Sequence, residues 1–245
     1  MRLALLADVH GNLRALEAVL RDLAREAPDA VVDLGDCVAG PLQPADTADL
    51  LMDRGFVTVR GNHDRQLVTL APEDMGATDR HADAHLAPRH RAWLAALPAT
   101  AVVGEVLCVH GTPADDLAYL LEAVAPTGAV AAAPPALVAE RLGPTAQRIV
   151  ACGHTHVPRT TLAADGRLVV NPGSVGLQGF DWDVPHPHRV SVGSPHARYA
   201  LLDLGDGPPR VTHRAVAYDW DAAAADAMRA GRADWAHALS TGFAV

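Results

Sequence analysis

Two histidines, His154 and His156, flank Thr155 in the stretch "ACGHTHVPR" (residues 151–159), just behind an apolar run and a glycine. Side chains of similar chemistry recur at four other points. Asp8 and His10 stand in "DVHGN", Asp36 follows Gly35, Asn62, His63 and Asp64 stand in "GNHD", and His110 precedes Gly111. Together they offer two carboxylates, an amide oxygen and several imidazoles. That mixed N and O donor set exceeds what one tetrahedral zinc requires. It suits two borderline divalent ions such as Mn, Fe, Zn, Co or Ni. Two dications against only Asp8 and Asp36 would leave a net positive centre that attracts phosphate. Ions about 3.5–4 Å apart can clamp the attacking and leaving oxygens of an in-line displacement. The rival reading is a hydrogen-bond network at strand ends, holding the same side chains for structure alone.

These groups all follow stretches that read as strands. "RLALLAD" is a buried strand from Arg2 to Ala7, and "LRALEAVLRDLARE" is a helix with Leu13, Leu16, Leu20 and Leu23 at helical spacing. "DAVVDLGD", "ADTADLLMDRG" and "FVTVRGNHD" continue as strand, helix and strand, a parallel α/β opening. "HLAPRHRAWLAALP" is a helix, and "ATAVVGEVLCVHG" two strands turning at Gly104-Glu105. An Ala/Pro-rich stretch ends in a helix over "PALVAERLG", and "QRIVACGH" is a strand. Hairpins turn at Asp165-Gly166 and between Gly205 and Pro209, and the tail is helical. Parallel units early and antiparallel hairpins late imply two sheets. In open α/β sheets, ligands bind beyond the carboxyl ends of the strands. Residues i and i+2 of an extended segment point the same way, so Asp8 with His10 and His154 with His156 are each expected to project as a pair.

The ordered blocks D-x-H, G-D, G-N-H-D, H and G-H-x-H resemble the calcineurin-like metallophosphoesterases, over roughly residues 1 to 175. "GDCVAGPLQP" and "NPGSVG" are similar to a bacterial phosphodiesterase or diadenosine-tetraphosphatase-like branch. The protein-phosphatase branch would follow G-D with D-R-G, whereas Asp36 here runs into Cys37-Val38-Ala39-Gly40. The resemblance implies an α/β sandwich of two mixed β-sheets flanked by helices, with metals at one edge. It implies that Asp8, His10 and His156 hold one ion, that Asn62, His110 and His154 hold the other, and that Asp36 bridges them. His63 would stand over the phosphate and protonate the leaving oxygen, with Asp64 orienting it. A metal-bridging hydroxide would attack, without a covalent enzyme intermediate. Manganese is the first choice of metal, with Fe, Zn, Co and Ni as alternatives. The expected reaction is hydrolysis of a phosphodiester or nucleotide-type substrate. Its rivals are a phosphomonoesterase or protein phosphatase, and a scaffold of the same fold that has lost chemistry.

Composition bounds the rest. The 245 residues fit one domain: a motif-bearing core over 1–175, a variable loop over 176–197, and a closing hairpin with C-terminal helices over 198–245. Hydrophobic residues make up 49% and aromatics only 4%, so the core is built from Ala, Val and Leu. A net charge of -9 gives no footprint for polymeric nucleic acid and favours a small phosphate ester as the partner. All 20 basic residues are arginine, a compositional bias without functional meaning. No run reaches membrane-spanning length, and Cys37, Cys108 and Cys152 form no disulfide framework. A cytoplasmic protein without membrane contact is expected, with homo-oligomerisation left open. The cysteines read as small buried side chains and Asn12 as a helix cap. Arg60 reads equally as a phosphate contact or as cover for the sheet edge. Residues 69–85 read as a loop. The segment 176–193 carries His186 and His188 at the substrate entrance or in solvent, and Phe180 and Trp182 as stacking groups or a packed lid.

Overall fold

The computed structural model describes residues 1–245. The chain begins β1 (Arg2–Leu6), α1 (Leu13–Glu26), β2 (Ala30–Asp33), α2 (Pro44–Arg54), β3 (Val57–Thr58) and α3 (Asn62–Thr69). It continues α4 (Ala77–His85), α5 (Pro88–Ala96), β4 (Thr100–Val103), β5 (Val106–Val109), β6 (Glu122–Val124), β7 (Val130–Ala132), α6 (Pro135–Leu142) and β8 (Ile149–Ala151). The remainder is β9 (Arg159–Leu162), β10 (Leu168–Asn171), β11 (Gly179–Trp182), β12 (His188–Ser191), β13 (Ala197–Asp203), β14 (Arg210–Val216), α7 (Trp220–Arg229) and α8 (Ala233–Thr241).

Two five-stranded mixed sheets form the body, in the orders β14-β13-β1-β2-β3 and β4-β5-β8-β10-β9. The expected sandwich is therefore present. β1 lies at the centre of the first sheet, parallel to β2 (Leu3 opposite Ala30) and antiparallel to β13 (Leu3 opposite Leu202). Its sequence is apolar on both faces because both are covered. Leu3 and Leu5 point between the sheets, where they meet Val32, Val106, Cys108, Ile149, Ala151 and Val170. Ala4 and Leu6 point outward against Leu16, Val19 and Leu23 of α1. The outer face of the second sheet, Leu107, Val109, Val150 and Val169, packs under Val138 and Leu142 of α6. Each fully buried leucine of this kind is worth roughly 2–3 kcal/mol of transfer free energy.

Several elements differ from the sequence expectation. The hairpin β13–β14 does not stand apart but extends the first sheet beside β1. Residues 69–85 are not a loop: a 3-10 turn at Pro72–Asp74 leads into α4, whose Ala82 is buried with Met75 and Leu86. The segment after "NPGS" forms the antiparallel pair β11–β12 rather than an irregular loop. The Ala/Pro-rich stretch carries the small ribbon β6–β7 before α6. No helix is long and apolar enough to cross a membrane.

Candidate metal centre

Every strand that supplies the site stops before its functional residues. β1 ends at Leu6, β2 at Asp33 and β8 at Ala151. Beyond those ends the backbone turns left-handed. Six non-glycine residues have positive φ, and five of them are Asp8 (55°), His10 (51°), Asp36 (58°), His154 (68°) and His156 (61°). L-residues avoid this region, and clusters of such residues mark functional sites. The expectation that the paired residues sit on extended backbone therefore needs correction. They reach one place through successive left-handed turns, held by loop-to-loop hydrogen bonds. The N–H of Asp8 donates to Gly35 O (2.9 Å), and that of His10 to Asp36 O (2.9 Å). Gly61 is required by proximity, since a Cβ there would lie 2.2 Å from Asp36 Oδ1.

The side chains form two groups of three. Asp8, His10 and His156 make one, and Asp36, His110 and His154 the other, with the donor atoms of each within 4.8 Å of one another. All six are buried. Asp36 Oδ2 lies between the groups, 3.2 Å from His110 Nε2 and 3.9 Å from His10 Nε2. Asn62 Oδ1 stands 3.0 Å from His110 Nε2. All seven sequence-selected residues thus converge.

Their protonation fits a cation. His10, His110 and His156 each donate Nδ1–H to a backbone carbonyl, of Ala39 (2.8 Å), Leu34 (2.7 Å) and Leu177 (2.7 Å). Such bonds fix the tautomer and aim Nε2 inward. His154 is reversed: its Nε2 bonds Leu117 O at 3.0 Å, so Nδ1 faces the site. In the first group, His10 Nε2 and His156 Nε2 face each other at 3.1 Å. Burial and the neighbouring His156 press His10 down to about 3, and burial with His110 presses His154 down to about 4. Both rings are therefore neutral and able to ligate. In the second group, burial would lower His110, but the charge of Asp36 and its hydrogen bond prevail and lift it to about 10. The His110 proton occupies the place of positive charge between Asp36 and Asn62. Asn62 leaves its buried Nδ2 without a partner while aiming Oδ1 inward. This set of acceptors, compensated by one imidazolium, fits divalent metal ions.

Comparison with known proteins agrees with the geometry. Residues 1–184 match the model of the calcineurin-like phosphoesterase superfamily domain. The chain belongs to that superfamily. The chain is similar to a metallophosphoesterase from Sphaerobacter thermophilus, with 26% identity, 98% of this chain and 99% of that one covered, and a TM-score of 0.73. It shares its fold with a candidate diadenosine tetraphosphatase at 17% identity, 86% and 93% coverage, and a TM-score of 0.52. An uncharacterized protein of Methanocaldococcus jannaschii is 37% identical over 62 residues, 25% of this chain and 26% of that protein. That match spans about a quarter of the relative's length.

His63 lies at the N-terminus of α3, and its backbone N–H donates to Asp36 Oδ1 at 2.9 Å. Its ring faces the cleft above both groups. Asp64 does not touch that ring, contrary to the role the sequence suggested. Its carboxylate accepts from the backbone N–H groups of Asp36 (2.8 Å), Cys37 (3.0 Å) and Gly61 (2.9 Å), which fixes the loop carrying Asp36. Its partners are these three N–H groups and not the imidazole. The ring is held by Asp79 of α4, whose Oδ1 is 2.6 Å from His63 Nδ1. Sequence reading missed Asp79 because its only local signal is an acidic residue in the first turn of an unrecognised helix.

Other supporting residues were also missed. Asn171 donates to Gly153 O (2.7 Å), and Ser174 Oγ–H donates to Asp8 O (2.8 Å), so "NPGS" pins the loops after β1 and β8. Tyr119 meets His154 edge to face with ring centroids 5.2 Å apart and donates its O–H to His188 Nε2 (2.9 Å). His188 is thereby buried rather than placed at the entrance. Phe180 and Trp182 line the cleft, Phe180 against His156 at 4.7 Å, and Trp235 of α8 meets His10 at 5.8 Å. The three cysteines are free and buried, with burial raising each thiol. Arg60 does not line this cleft.

Proposed function

We propose that this protein is a dinuclear metal-dependent phosphoesterase acting on small phosphodiester or nucleotide-type substrates. The observation that carries the reading is the pair of three-residue donor groups with Asp36 Oδ2 between them. Asp8, His10 and His156 would hold one ion, Asn62, His110 and His154 the other, and Asp36 both. When bound, two such ions neutralise phosphate charge and lower the pKa of water towards neutrality. Manganese is our first choice.

The chain's own side chains supply the rest. His63 stands at the cleft with Nδ1 engaged, so Nε2 is free to donate a proton to a leaving oxygen. Burial would lower this imidazole, but Asp36 and the bond to Asp79 lift it to about 9, which keeps it protonated near neutral pH. Aromatics are only 4% of the chain, yet Phe180, Trp182 and Trp235 share this cleft. That wall supports a substrate with a flat apolar portion, such as a nucleoside. The net charge of -9 around a local cationic centre favours small anions over polymers.

The test is hydrolysis of bis-p-nitrophenyl phosphate by metal-stripped protein after Mn²⁺ is restored. Wild type should turn over, and His63→Ala, while still binding metal, should lose about 10²–10⁴-fold in kcat on diphenyl phosphate, whose leaving group is more basic, and less on the nitrophenyl ester. Faster turnover of p-nitrophenyl phosphate would move the assignment to a phosphomonoesterase. Loading of two ions with no turnover of any of these esters would refute the enzyme reading and leave a metal-binding scaffold.

A further inference from the structure

The imidazole assigned to proton donation is not held by its neighbour in sequence. Asp79, in the first turn of α4, places Oδ1 2.6 Å from His63 Nδ1. The Asp79 side chain is 5% exposed, against 19% for that of His63. His63 is the one side chain paired with this carboxylate. A buried carboxylate with no other partner is costly, so the pair holds the ring firmly. Turning the ring over would break that bond and withdraw Nε2 from the cleft. α4 is itself fixed: Met75 and Ala82 pack with Leu67 of α3 in the core, and Thr78 accepts a hydrogen bond from Arg232 at 3.0 Å.

We propose that Asp79 is the positioning residue for His63, holding Nδ1–H so that Nε2–H faces the leaving oxygen. This rests on the phosphoesterase reading above. As water-derived hydroxide forms the new P–O bond, the old P–O bond breaks and its electron pair stays on the leaving oxygen. That oxygen takes the Nε2 proton. His63 becomes neutral, keeps its Nδ1 proton on Asp79, and regains a proton from solvent before the next turnover. The rival role for Asp79 is structural, as an acidic residue at a helix N-terminus.

Leaving-group dependence separates the two roles. Bis-p-nitrophenyl phosphate releases an acidic phenol that departs with little protonation, whereas diphenyl phosphate releases a more basic phenoxide. Asp79→Asn, nearly isosteric, should lower kcat on diphenyl phosphate about ten- to hundredfold and far less on the nitrophenyl ester. Asp79→Glu should recover part of the loss. Added to His63→Ala, Asp79→Asn should cost nothing further, because the two act as one unit. Metal content should stay at the wild-type value in all variants. Equal loss on both esters, or a further loss in the His63→Ala background, would make Asp79 structural and overturn the inference. Wild-type turnover with Asp79→Asn unchanged on both esters would overturn it alone. A wild type inert on every ester would remove the phosphoesterase reading and this inference with it.

Discussion

At the scale of single residues, the centre is built from backbone strain and fixed tautomers. Five of its side chains stand on left-handed backbone that L-residues avoid. The surrounding bonds hold them there: Asp8 N–H on Gly35 O, His10 N–H on Asp36 O, and the Asp64 carboxylate on three backbone N–H groups. The second group carries a consequence for metal binding. His110 is lifted to about 10 because Asp36 outweighs the effect of burial, so without metal it is protonated near neutral pH. A cation that binds its Nε2 must displace that proton. Loading is therefore expected to release about one proton near neutral pH, and affinity should rise with pH as His110 loses its proton. Calorimetric titration of Mn²⁺ in buffers of different ionisation enthalpy measures this. Binding with no buffer dependence would show that His110 is already neutral.

At the scale of elements, α1 shows how one polar side chain joins a helix to the site. Asn12 Oδ1 accepts from Ala15 N–H at 3.1 Å, as expected of a cap. Its Nδ2 donates to Gly176 O (2.9 Å) and Tyr218 OH (3.2 Å), and Gly176 N–H in turn donates to Asp8 O at 3.0 Å. Asn12→Ala should therefore cost more than a cap alone, about 2 kcal/mol rather than about 1. Urea unfolding of the metal-free protein checks the value, and a loss below that of a simple cap would deny the tie to Gly176 any weight. α4 teaches the converse. Residues 69–85, which include it, look polar and loop-like, with histidines and aspartates along "ATDRHADAH". Ala82 is its one apolar side chain in the core, so the apolar period is too faint to read.

At the scale of the whole molecule, two sheets face each other and bring the ends of β1, β2, β5 and β8 to one rim. Near it, Leu42 and Leu177 pack with the helices α7 and α8 in one cluster, and the donor residues themselves are buried. The folded state thus concentrates acceptors that the unfolded chain would keep in water. Cations that bind only the folded state must stabilise it, by about 2.7 kcal/mol per site at a hundredfold excess over Kd. Thermal unfolding should show Tm rising with Mn²⁺ concentration and falling on chelation. A Tm indifferent to both would mean that the donors satisfy one another, as in a hydrogen-bond network.

The sequence by itself determined the parts of this protein that depend on short-range order. Strand and helix periods, the glycines beside the functional residues, and the ordered D-x-H, G-D, G-N-H-D, H and G-H-x-H blocks pointed to a two-sheet sandwich and to the seven residues that meet at its rim. Local spacing carries that information because each block lies just past one strand. Tertiary structure alone decided which groups touch. The GHTH histidines divide between two donor groups as the resemblance implied, but left-handed turns and not extended backbone aim them. Asp64 turned to the backbone because three N–H groups converge on it, and Asp79 reached His63 from 16 residues away. The aromatic wall likewise joins β11 to α8 across the chain. Such contacts come from packing between elements remote in sequence, and no local pattern records them.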